Sequence, residues 1–158
     1  MVSNFKVDFF LDTVSTTKAE KVKHILGYFH TIKPNKLEAE ILSGMEIAGK
    51  KDLQNVATYF IEMGVKRVFI TLGEDGVYYF DKQNKVHIKS PKITITNATG
   101  AGDAFMSGLA YSYYNGLDME RTLRFAIGAS LVTLENENTI NPNISVEKIK
   151  KRIKELGL

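Results

Sequence analysis

Apolar residues at Leu53, Val56, Ala57, Phe60 and Ile61 return at the spacing of one helical face, and Gly64 stands where such a helix would be capped. Ala19, Val22 and Leu26 mark a second face, behind Ser15 or Thr16 as N-cap. Residues 37–42 form a short amphipathic stretch that Gly44 stops. Short apolar runs at 7–11, 28–32, 67–71, 76–80, 85–89 and 93–95 read as strands. The fourth and fifth flank Asp81-Lys82-Gln83-Asn84, a hairpin with a four-residue loop. Helices are expected near 103–115, 119–134 and 145–156, the last capped by Ser145 with Glu147 in its first turn. Strands alternating with helices predict an α/β layered fold with a largely parallel sheet. No repeat, low-complexity tract or Gly-, Pro- or Ser-rich linker interrupts it, so one domain over residues 1–158 is the simplest division.

Composition changes this picture little. The 158 residues are 44% hydrophobic, enough for a sizeable core and against disorder. The net charge of +3 comes from lysines spread along the chain and gathered in the last helix, which reads as a solvated basic face rather than a nucleic-acid site. With no cysteine, neither a disulfide framework nor a thiolate metal site is possible. His24, His30 and His87 are scattered, without metal-ligand spacing. No stretch is long and apolar enough to span a bilayer and no signal-peptide pattern opens the chain, so a cytoplasmic location is the default expectation.

Chemistry concentrates at Thr96-Asn97-Ala98-Thr99-Gly100-Ala101-Gly102-Asp103-Ala104-Phe105. Small residues at a strand-to-helix turn let backbone N–H groups close around an anion, and the helix N-terminus adds partial positive charge. A carboxylate at Asp103 is poorly suited to holding that anion. It is well suited to taking a proton from a hydroxyl beside a phosphate. The Gly-Lys-Ser/Thr ending of a Walker loop is missing.

Asn97-Ala98-Thr99-Gly100-Ala101-Gly102-Asp103, followed by Ala-Phe-Met-Ser-Gly-Leu-Ala, resembles the C-terminal signature of the ribokinase-like (PfkB) carbohydrate kinases. Lys33-Pro34-Asn35-Lys36-Leu37-Glu38 resembles their Asn-x-x-Glu element, and Thr71-Leu72-Gly73-Glu74-Asp75-Gly76 their nucleotide loop, in the same order. Within that family, residues 12–19 and 30–40 resemble the pseudouridine kinases. The resemblance implies a three-layer ribokinase-like sandwich, of which this chain is similar to the C-terminal, nucleotide-binding half.

It also implies roles. Asp103 would be the base, with Gly100, Ala101 and Gly102 forming the anion hole for the transferring phosphoryl group. Thr71, Gly73 and Gly76 would line ATP, with Ile127 and Leu131 giving apolar contact to adenine or, equally, packing in the core. Asn35 and Glu38 would organise Mg²⁺ through water, as suits an ion that keeps several waters, with Lys33 a weaker phosphate contact. Glu40 is expected to face solvent. The acceptor would be a small sugar or nucleoside, with no nucleic acid or membrane partner. Dimers of the family often form through a lid that this chain does not contain. Asn97 stands where many relatives carry Asp near a monovalent cation, which leaves a K⁺ requirement open.

Overall fold

The structure, a computed structural model, describes residues 7–139 and 141–158. It falls into two compact units, Met1–Lys89 and Ser90–Leu158.

The first unit holds a five-stranded sheet in the order β1 (Phe10–Asp12), β2 (Thr31–Lys33), β3 (Arg67–Thr71), β4 (Val77–Phe80), β5 (Lys85–Ile88). β1, β2 and β3 run parallel, and β4 and β5 continue as an antiparallel hairpin. Helices α1 (Thr16–Val22), α2 (Lys36–Ser43) and α3 (Lys50–Glu62) fill the connections. The face read from the sequence of α3 is the one that packs: Leu53, Val56, Ala57 and Phe60 are buried and join Ile32, Val68 and Ile70 of the sheet in one core. Fully burying such a side chain is worth about 1.5–3 kcal/mol. Gly64 closes α3 as expected, its N–H on the Ile61 carbonyl and the Val65 N–H on the Phe60 carbonyl, a Schellman end.

Three expectations shift. The first strand lies at Phe10–Asp12, because its ladder continues to Asp12, opposite Lys33. The helix carrying Ala19 and Val22 ends at Val22, and Lys23–Tyr28 tighten into a 3₁₀ turn that still buries Leu26; the second strand therefore starts at Thr31. Residues 93–95 form no strand, having no ladder partner among the described residues.

The hairpin loop is organised by Asp81. Its carboxylate accepts the Gln83 N–H at 2.7 Å, the Asn84 N–H at 2.6 Å and the Tyr79 hydroxyl. Burial pushes the Asp81 carboxyl upward, but these donors outweigh it and hold the group below its ordinary range. Burial, helped by the Asp81 bond, in turn raises the Tyr79 phenol. A carboxylate with a depressed folded-state pKa stabilises above its unfolded value, and that stabilisation is lost as pH falls through the folded value. Asp81→Ala should therefore cost about 1–2 kcal/mol at neutral pH. In urea titrations the gap to the parent should close in acid below the ordinary value of 3.8; a gap that persisted there would place the effect elsewhere.

The second unit contains α4 (Ala101–Tyr114), α5 (Met119–Leu134) and α6 (Val146–Glu155). α6 is capped by Ser145, whose Oγ accepts the Lys148 N–H. It packs Ile149 and Ile153 on Phe125, Ala129 and Val132 of α5. Arg152 ties it to the end of α5 through both carboxylate oxygens of Glu135. No helix among the described residues is long and apolar enough to cross a membrane.

Candidate active site

In the first unit the parallel strands end together, and their C-terminal ends carry polar residues, the usual place for a ligand in such sheets. β2 runs through Lys33 to Pro34 and Asn35. The Thr71 N–H at the end of β3 donates to the Pro34 carbonyl at 3.0 Å, and Asn35 and Thr71 form a parallel bridge. Asn35 is the N-cap of α2. Its Oδ1 accepts the Glu38 N–H at 2.9 Å, and Glu38 Oε2 accepts the Asn35 N–H at 2.9 Å, a reciprocal capping box. A capping box accounts for the pair's spacing but not for the burial of Glu38, which is only 3% exposed. Asn35 thus lies beside Thr71, with Lys33 at the end of β2 and Glu38 in the first turn of α2.

Two neighbours were not read from the sequence as site residues. Asp12 Oδ2 lies 3.1 Å from Lys33 Nζ, so the Lys33 charge is already paired. Thr13, 2% exposed, donates its hydroxyl to Glu38 Oε2 at 2.5 Å. In the sequence they stand at the end of an apolar run and open the stretch 12–19 that resembles the pseudouridine kinases, with no role assigned to either. Glu40 does not simply face solvent: its Oε1 accepts the Ile47 N–H and pins the loop after α2.

The Thr71–Gly76 loop is a 3₁₀ turn over Gly73–Asp75 closed by the Leu72 N–H on the Gly76 carbonyl at 2.8 Å. Gly76, with φ 89° and ψ −132°, holds a backbone region that is essentially glycine's own. His87 Nε2 lies 2.8 Å from the Asp75 carbonyl and braces the loop from β5.

In the second unit the N-cap of α4 is Gly100. The first intrahelical bond runs from the Ala104 N–H to the Gly100 carbonyl, so the N–H groups of Ala101, Gly102 and Asp103 precede it without an intrahelical acceptor. No side chain caps them. Asp103 is the third helical residue. Its carboxylate is exposed and has no hydrogen bond or ion pair among the described residues; only its backbone carbonyl is used, by Ser107. Ser130 Oγ donates to the Ala101 carbonyl at 2.9 Å and anchors this turn to α5. Ile127 and Leu131 are 5% and 1% exposed, and the position of a Cβ on Gly128 is filled by Ile153, so this stretch of α5 packs as core.

The loop before α4 is stitched to the loop after α5. The Thr96 N–H meets the Leu134 carbonyl at 2.8 Å, and Asn97 Nδ2 donates to the Glu137 carbonyl at 2.9 Å. Toward Mg²⁺ the strand ends of the first unit offer one buried carboxylate, that of Glu38. Mg²⁺ is commonly held by one or two carboxylates together with substrate phosphates.

A profile of the pfkB family carbohydrate kinases matches residues 3–146. The chain belongs to that family. As a pfkB family chain it is 42% identical over 144 residues to the pseudouridine kinase of Escherichia coli K12, a match covering 90% of this chain and 46% of that protein. A crystal structure of a provisionally named sugar kinase from Clostridium perfringens is 41% identical, with a TM-score of 0.95 over 98% of this chain and 49% of that one. The ribokinase of Arabidopsis thaliana, solved with ribose and ATP, shares the fold at a TM-score of 0.81 and 23% identity, over 94% of this chain and 48% of that one. The chain spans about half the length of these relatives.

Proposed function

We propose that this chain is the nucleotide-binding and catalytic part of a kinase that moves the γ-phosphoryl group of ATP to a sugar or nucleoside hydroxyl, with the ribose 5′-hydroxyl of pseudouridine as acceptor. One observation carries the chemistry: Asp103 presents an exposed carboxylate, unpartnered among the described residues, on the same helical turn whose leading N–H groups have no side-chain cap. A base and an anion site on one turn are what phosphoryl transfer to an alcohol asks of a protein. Asp103 takes the hydroxyl proton, the alkoxide-like oxygen bonds to the γ-phosphorus, and the bond from that phosphorus to the bridging oxygen breaks, with ADP leaving. The N–H groups of Ala101, Gly102 and Asp103 stabilise charge on the transferring group. Asn35 and Glu38 would hold Mg²⁺ through water, which supplies neutralising charge to the phosphates when bound. Thr71 offers a hydroxyl to phosphate, and Gly73 and Gly76 let the loop backbone lie close to the nucleotide.

The acceptor rests on the 42% identity to the Escherichia coli pseudouridine kinase. ADP release by the full-length protein, with pseudouridine, ribose, fructose and adenosine compared, tests it. Preference for pseudouridine is expected. Activity only with another acceptor would keep the chemistry and discard the substrate. A second reading, nucleotide binding without transfer by this chain alone, is favoured by its covering only 46% of that relative. It predicts ATP affinity with no acceptor-dependent ADP release.

A further inference from the structure

We infer that Thr13 is a positioning residue for the carboxylate of Glu38. The inference rests on the proposed role of Glu38 toward Mg²⁺ and adds to it a residue from a different strand end. Glu38 is 3% exposed, and a carboxylate oxygen taken out of water is costly unless hydrogen bonds replace the water it loses. Glu38 has two, from the Thr13 hydroxyl at 2.5 Å and the Asn35 N–H at 2.9 Å, and both end on Oε2. Oε1 has no protein partner among the described residues. The carboxylate is therefore asymmetric: Oε2 is anchored twice, and Oε1 is left without a protein donor. A helix cap alone would supply only the Asn35 bond. The Thr13 bond comes from 25 residues away, and it fixes the rotation of the group about its own axis.

The chain is held to make this contact. Directly after Thr13, Val14 takes a left-handed φ of 62°, which is costly for a β-branched residue. Its N–H donates to Asp12 Oδ1 at 3.2 Å, and the Ser15 N–H returns to the Thr13 carbonyl at 2.6 Å. The same two-residue strand end thus directs Asp12 to Lys33 and Thr13 to Glu38. Partners of this kind, one step removed from a metal, typically change its affinity about 10–100-fold when removed.

The test uses the full-length protein and three variants: Thr13→Val, which keeps the shape and removes the hydroxyl, Thr13→Ser, which restores it, and Glu38→Gln. Mg²⁺ is titrated into turnover, and ATP binding is measured calorimetrically with and without Mg²⁺. Thr13→Val should raise the Mg²⁺ half-saturation about 10-fold or more and weaken binding of Mg·ATP while leaving Mg²⁺-free ATP unchanged; Thr13→Ser should return both to near the parent. If Thr13→Val does not fold, Thr13→Ala carries the same expectation. A variant that melts earlier but shows the parent's Mg²⁺ dependence overturns the inference. If Glu38→Gln also leaves Mg²⁺ dependence untouched, the role of Glu38 itself has failed, and the two failures are told apart.

Discussion

Asp103→Asn is expected to lower acceptor-dependent turnover by about 10²–10⁴-fold, the range for losing a positioned general base, with Mg·ATP affinity close to the parent's. The substitution is nearly isosteric, and the Asp103 side chain is exposed with no partner among the described residues, so no packing or ion pair is lost. The leading N–H groups of α4 belong to the backbone and remain. What disappears is the capacity to accept a proton. The stability change should stay within the usual range for such surface sites, about 0.5 kcal/mol, with at most about 1 kcal/mol more from removing a negative charge in the first helical turn. Turnover with a saturating acceptor, read beside calorimetric ATP affinity, separates these effects. Near-parental turnover would remove Asp103 from the chemistry. A parallel loss of ATP affinity would make it a binding residue instead.

That the carboxylate and its turn could be found in the sequence, while their surroundings could not, has a physical basis. Helix α3, the β4–β5 hairpin and α5 follow from periodicity and turn residues within a dozen positions, and all three stand as expected. Asn35 and Glu38 came from the resemblance of residues 33–38 to an Asn-x-x-Glu element, and the capping box they form is equally local. The role of Thr13 was not legible, because its partner lies 25 residues away and threonine after a strand carries no pattern. Helix α4 starts at Ala101, two residues before the expected 103, because Gly100 with its left-handed φ of 85° serves as the N-cap. Residues 93–95 have the composition of a strand, but composition cannot supply a neighbour to pair with. Ile127 and Leu131 sit where apolar residues serve adenine contact or core equally well, and their burial favours the core.

Gly100→Ala should be among the most damaging single-methyl additions in the second unit. Gly100 has φ 85°, and a Cβ there would lie 2.3 Å from the Thr139 carbonyl oxygen and 3.3 Å from its carbon and Cγ2. The left-handed conformation alone costs a non-glycine residue about 1–2 kcal/mol. The overlap adds about 1–3 kcal/mol, as for other overpacked sites. Relief is difficult because the obstacle is backbone and both sides are tied: Thr96 and Asn97 hold the Leu134 carbonyl, and Asn97 Nδ2 holds that of Glu137. If the chain yields, it yields at the turn that aims the Ala101–Asp103 N–H groups, and misaligning one such donor costs about 10²–10³-fold in turnover. Gly116→Ala is the control, since Gly116 has a similar φ of 64° with nothing within 4 Å of an added Cβ. Denaturant unfolding should show Gly100→Ala losing about 1–3 kcal/mol more than Gly116→Ala, with turnover lost only in the former. Equal losses would mean that the glycine is required by its backbone conformation alone and that the Thr139 carbonyl does not shape the anion site.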